Sequence, residues 1–304
     1  MMKWNKLGLI FCANKDSEWM QTHASLPFAD HLKNNDYRIF FSSRNSDNYS
    51  QIGSIDIDIT QPHKILNQSK TPILSIGDLG SFDEHGVMGS SLVNFKGKKY
   101  LYYIGWNVGK SIPFRWSIGL AISKDGGKTF EKFSKGPILD RNHIDPYMVS
   151  SPTVIYDNNL WRMYYISPMK CFYENNSFKA PYNIRYAESE DGINWKRNGV
   201  IAIDFKYPNE FAVGRASIIK EKGLFRMWYS YSIDKYRIGY AESLDGIKWE
   251  RKDEQVGITV SEFGWDSESI EHCYVFNHLN SKYMLYSGND FGKSGFGIAN
   301  LDSS

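Results

Sequence analysis

The chain has 304 residues, a net charge of +2 and 15% aromatic residues. A balance so close to neutral gives no long-range pull toward nucleic acid or an anionic membrane surface, and no stretch approaches the roughly 18 apolar residues of a bilayer span. The N-terminal segment has no sustained apolar run or small-residue cleavage site, so a signal peptide is not expected. Cys12, Cys171 and Cys273 are odd in number and lack metal-site spacing, which fits a cytoplasmic, reducing location.

In chain order, Leu7–Phe11 has the character of a strand. An aromatic strand of one shape then recurs about every 60 residues, at Tyr37–Phe41, Tyr100–Tyr103, Trp161–Tyr165, Phe225–Tyr229 and Tyr283–Tyr286. Three copies are followed by a shared phrase, at Gly119–Phe130, Ile184–Trp195 and Ile238–Trp249, which reads as strand, Asp-Gly turn, strand. With a strand ahead of each aromatic one, the unit is a four-stranded antiparallel blade. Radial repetition of such blades closes a ring and removes exposed sheet edges. The expected fold is therefore all-β, a five-bladed β-propeller of four-stranded antiparallel blades forming a single domain over 1–304. The last copy leaves room for only three strands, so Leu7–Phe11 is expected to supply its fourth and fasten the ring.

Blade geometry puts the start of each first strand on the same face as the loop after the second strand. Two such loops are long, 105–116 and 167–182, and long loops on one rim of a rigid scaffold are where binding usually lives. Counting back about 20 residues from Tyr103, Tyr165, Tyr229 and Tyr286 gives Asp83 or Glu84, Asp145, Glu210 and Asp266. A little further along, the same register gives Ser151, Arg215 and His272, while the first blade offers His23. These side chains are expected to converge on one axial funnel. Carboxylates brought together there would raise one another's pKa, and paired carboxylates across a cleft are the usual apparatus for cleaving a glycosidic bond.

The phrases Ile144-Asp145-Pro146, Ala-Glu-Ser-x-Asp-Gly-Ile-x-Trp at 187–195 and 241–249, and Lys-Tyr-Met-Leu-Tyr at 282–286 give the chain its resemblance to the five-bladed propeller glycoside hydrolases. That superfamily includes arabinanases, β-xylosidases, invertases and mannoside phosphorylases. Gly80–Ser91 and Phe263–Glu271 more closely resemble propellers found with bacterial surface-polysaccharide enzymes.

The resemblance implies a carbohydrate ligand, with Asp145 orienting, Glu210 donating a proton and Asp83 or Glu84 acting as base. His23 stands where the hydrolases have their first-blade Asp. His23, Arg215 and His272 would hold sugar hydroxyls or an anionic group, with Asp266, Glu271, Trp106 and Trp116 completing the binding surface. No cofactor is expected, although His23, His85, His143 and His272 could surround a structural cation. Three activities stay open: hydrolysis, phosphorolysis or transfer with an anionic group, and glycan binding without catalysis. Asp290-Phe-Gly292 copies a kinase triplet without the other kinase motifs and is given no weight.

Overall fold

The computed structural model describes residues 2–302, and it is built almost wholly of antiparallel β-sheet. β1 (Trp4–Phe11) precedes β2 (Thr22–Lys33), β3 (Asp36–Arg44), β4 (Ser50–Asp58) and β5 (Ile65–Gln68). The second unit is β6 (Gly86–Phe95), β7 (Lys98–Asn107), β8 (Arg115–Ser123) and β9 (Glu131–Lys132). In the third, β10 (Ser150–Asp157) and β11 (Leu160–Pro168) are separated by the small hairpin β12 (Phe172–Glu174) and β13 (Ser177–Lys179) from β14 (Tyr182–Ser189) and β15 (Lys196–Ile203). β16 (Ala212–Glu221), β17 (Leu224–Ser232), β18 (Tyr236–Ser243) and β19 (Glu250–Arg251) follow. Last come β20 (Glu271–His278), β21 (Ser281–Ser287) and β22 (Phe296–Leu301).

Within each unit, strands pair in sequence order, and β1 adds to β22 so that the final sheet runs β20-β21-β22-β1. The expected N-terminal fourth strand is thus present. First strands pack on one another in the cyclic order β2, β6, β10, β16, β20 and back to β2, so they surround one axis and the fourth strands lie outside. Polar stitches join neighbours along that axis. Ser91 Oγ accepts from the Val154 N–H (3.0 Å), Thr153 Oγ1 donates to the Ala216 carbonyl and Ser217 Oγ accepts from the Val275 N–H (2.7 Å).

Aromatic side chains of the second strands fill the spaces between sheets. Tyr102, Tyr103, Trp161, Tyr164, Tyr165, Trp228, Tyr229 and Tyr286 are all fully buried. The repeated Asp-Gly phrase has a local and a longer-range cause. Asp191 Oδ1 accepts the N–H groups of Ile193 and Asn194 at 2.8 Å. Gly192 supplies the left-handed backbone (φ 75°) that the turn requires. Its carbonyl then receives the Tyr102 hydroxyl of the preceding unit at 2.8 Å, and Tyr164 does the same to Gly246 at 2.7 Å. Tyr102→Phe and Tyr164→Phe should each cost about 1 kcal/mol, read as a lower thermal midpoint; unchanged melting in both would show that these latches contribute nothing.

Candidate functional site

The four acids of the sequence register are buried, and each is held by its own unit. Asp83 accepts the Tyr103 hydroxyl at 2.9 Å and pairs with Lys132 at 2.6 Å. Asp145 accepts the Tyr165 hydroxyl at 2.8 Å, with Arg197 at 3.0 Å and Arg185 at 3.4 Å. Asp266 accepts the Tyr286 hydroxyl at 3.0 Å and pairs with Lys6 at 2.7 Å. Glu210 is gripped by both terminal nitrogens of Arg251, at 2.8 and 2.9 Å, while Tyr229 donates to Asp253 instead.

Lys132, Arg197, Arg251 and Lys6 all lie on fourth strands. Asp83, Asp145 and Asp266 therefore clamp the outer strand to the second strand, Glu210 holds the outer strand without a second-strand partner, and each acid is engaged within its own unit and not with the other acids. That corrects the expected convergence. The spacing is real, but for Asp83, Asp145 and Asp266 its cause is a tyrosine–acid–cation lock. Glu84 is likewise engaged locally, accepting the Gly80 N–H at 2.7 Å beside His85 at 3.5 Å.

At the axis the first strands share another feature. Each pairs with its neighbour through a bulge, at the steps Ser25/Phe28, Gly89/Ser91, Ser150/Thr153, Gly214/Ser217 and Glu271/Tyr274. Leu26, Ser151, Arg215 and His272 take left-handed backbone there, with φ between 48° and 53°. A bulge re-aims a side chain, and strained non-glycine residues of this kind gather at functional sites.

Arg215 and His272 lie close enough for the Arg215 charge to act on His272, whose Nε2 is 3.8 Å from Glu271. Arg215 is 3% exposed, and its Nη1 donates to the carbonyl and Oγ of Ser90 on β6 at 2.5 and 2.6 Å. His272 feels the charge of both Arg215 and Arg44, and burial chiefly drives its pKa down to about 3. At the mouth, burial followed by Arg44 and Lys293 pulls His23 down to about 4.

Glu271 is 1% exposed. Its Oε1 accepts the Phe291 N–H at 3.1 Å, its Oε2 has no hydrogen-bond partner, and the His272 Nε2 lies 3.8 Å away. Burial, reinforced by the nearby Asp290 charge, pushes its pKa up to about 8. The turn Asn289–Gly292 covers it, with consecutive left-handed residues Asp290 (φ 52°) and Phe291 (φ 58°).

Trp106 packs at the junction of two units, donating to Ser50 Oγ at 2.8 Å with its ring on His85. Trp116 stacks on Phe114 at 4.7 Å and meets Tyr182 edge-on. Tyr182 in turn shares a 2.6 Å hydrogen bond with Tyr236, and Glu271 acts electrostatically on both. Among the described residues no group of three or more His, Cys, Asp or Glu side chains is placed to hold a metal ion.

No family model matches the chain. Over 302 residues it is 38% identical to Uncharacterized protein Rv1502 of Mycobacterium tuberculosis strain ATCC 25618 / H37Rv, a match that covers 99% of this chain and 100% of that one. The chain belongs to the Rv1502 family.

Uncharacterized protein MT1551 of Mycobacterium tuberculosis strain CDC 1551 / Oshkosh matches with the same identity and coverage. Similar solved structures include a glycoside hydrolase at TM-score 0.76 and 19% identity, over 100% of this chain and 92% of that one. A thermostable family-43 glycoside hydrolase reaches 0.68 and 16%, over 96% and 91% of the two chains. Zg3597, a family 117 glycoside hydrolase produced by Zobellia galactanivorans, reaches 0.68 and 12%, over 99% and 90%. The chain thus has the propeller fold of these glycoside hydrolases.

The cluster has a pH signature. Between 4.5 and about 8 the native state keeps the Glu271 proton that the unfolded chain has lost, so stability falls as pH rises through that window. His23 and His272 act oppositely, neutral when folded but protonated when unfolded below 6.5, so stability falls as pH drops from 6.5 toward about 3 to 4. Glu271→Gln should melt like wild type near pH 5 and above it at pH 8.5, where the wild type must bury a charge beside Asp290, Tyr182 and Tyr236. Parallel melting curves across that range would show that Glu271 ionises freely in the folded protein.

Proposed function

We propose that the chain is a single five-bladed propeller that binds a carbohydrate at the axial mouth and cleaves a glycosidic bond there. The cyclic packing of the first strands supports the blade count, and the fold of its structural neighbours supports the ligand class. The observation behind the chemistry is Glu271, a buried carboxyl that keeps its proton at neutral pH, as a general acid must.

Asp290 is the second carboxylate of the reading, since its charge acts on both Glu271 and His23. The roles expected of Asp83, Glu84, Asp145 and Glu210 pass to this pair. A noncatalytic glycan-binding propeller is the second reading. It is favoured by His23 at the first-blade position and by the internal partners that occupy the register acids.

The deciding experiment incubates the purified protein with aryl glycosides and oligosaccharides, with and without phosphate. Glu271→Gln should cut turnover by roughly 10²-fold or more while ligand affinity stays within a few-fold. A strict need for phosphate would assign phosphorolysis. Binding without turnover on any substrate would leave the noncatalytic reading.

A further inference from the structure

We infer that the sugar bound at the axial mouth is itself acidic, carrying a carboxylate or phosphate ester that docks on the Nε/Nη2 edge of Arg215. This rests on the carbohydrate reading above and narrows it to one class of ligand. Arg215 Nη1 is committed to Ser90, whereas Nε and Nη2 are buried without a partner. Those two N–H groups lie on one edge of the planar guanidinium, the fork that matches two oxygens of a carboxylate or phosphate. Unmatched, they represent two desolvated donors on a buried cation.

Among the described residues no acid pairs with that charge. Arg197 pairs with Asp145, Arg251 with Glu210 and Arg38 with Asp56. Among the described residues Arg215 has no carboxylate within ion-pair distance, and Arg44 has only the Asn48 side chain, at 2.9 Å. Arg215 remains protonated at neutral pH, its pKa lowered by burial only to about 10. Glu271, beside His272 on which the Arg215 charge acts, holds its proton there. A buried charge left without a counterion is strongly unfavourable, so the cleft is completed by an anion that arrives with the ligand.

A bare inorganic ion would satisfy the fork and ignore the rest of the cleft. Phe291 is 50% exposed, in strained backbone, 5.5 Å from the Tyr236 ring and 6.3 Å from the His272 ring. An exposed aromatic face against His272, on which the Arg215 charge acts, suits a sugar ring that bears the acid.

The test is titration calorimetry on the full-length protein with hexuronic acids, hexose 1-phosphates, the matching neutral methyl hexosides, and inorganic phosphate alone. One acidic series should bind roughly tenfold to a hundredfold tighter than its neutral counterpart, and which series wins distinguishes carboxylate from phosphate. That margin should shrink with added salt and vanish in Arg215→Gln. Arg44→Gln should narrow the margin as well, and it decides the matter if Arg215→Gln does not fold. Equal affinity for neutral and acidic sugars overturns the inference, as does inorganic phosphate binding as tightly as a hexose 1-phosphate. Glu271-dependent turnover of neutral glycosides with no acidic preference would sink this inference and leave the carbohydrate reading standing. Failure of every sugar to bind would sink both.

Discussion

Removal of residues 1–12 should abolish the native melting transition or lower it by far more than any single substitution. β1 pairs with β22 from Trp4↔Leu301 to Phe11↔Phe296, so the chain's two ends are held together by one ladder of backbone hydrogen bonds. Truncation would turn β22 into an open edge, a template for association with other chains. It would also remove Trp4, Ile10 and Phe11 from the core. Lys6 is the only cation paired with buried Asp266 among the described residues, and an acid stripped of such a partner costs about 3–5 kcal/mol. Folded proteins have only about 5–15 kcal/mol in reserve. Circular dichroism melts and light scattering would read the loss. A truncated chain that melts like the full-length one would mean that the sheets hold their arrangement without this strand.

The repeat was legible because each copy of the unit must solve the same packing problem. Tyr102 and Tyr164 must both fill an inter-sheet space and reach a glycine carbonyl in the next hairpin, so sequence similarity follows from repeated contacts. The same repetition misled the reading of the acids. An acid about 20 residues before a tyrosine is what a mouth of the first strand would need, and equally what a Tyr103–Asp83 or Tyr165–Asp145 bond needs. Period alone cannot say whether a residue ahead of a strand turns toward the axis or toward the outer strand.

Arg215 and His272 could be placed from the sequence because they lie inside the first strands, where position along the strand fixes depth. Their direction depends on bulges that shift the register, and no spacing in the sequence announces a bulge. Arg44 at the end of β3, and Asp290, Phe291 and Lys293 in a turn, were not found. The one signal in that turn, the Asp-Phe-Gly triplet, pointed to unrelated chemistry. Consecutive left-handed residues at Asp290 and Phe291 emerge only from the folded backbone.

Asp145→Leu should destabilise the protein by about 3–5 kcal/mol, because it leaves Arg197 and Arg185 facing each other with their shared counterion gone. Asp145 is fully buried, so solvent cannot replace the lost oxygens. The Tyr165 hydroxyl, which donates to Asp145, would lose its acceptor in the same step. Adding Arg197→Met should recover part of the loss, and the double-mutant cycle would measure how strongly the pair is coupled. Whatever folded Asp145→Leu protein survives should retain ligand affinity and, per folded molecule, turnover, since its contacts run to the second, third and fourth strands of its own unit and not to Glu271 or Arg215. Glu271→Gln should behave in the reverse manner, folding well and losing turnover. If Asp145→Leu instead melts like wild type and is inactive, the lock is not structural and the acids of the register belong to the chemistry after all.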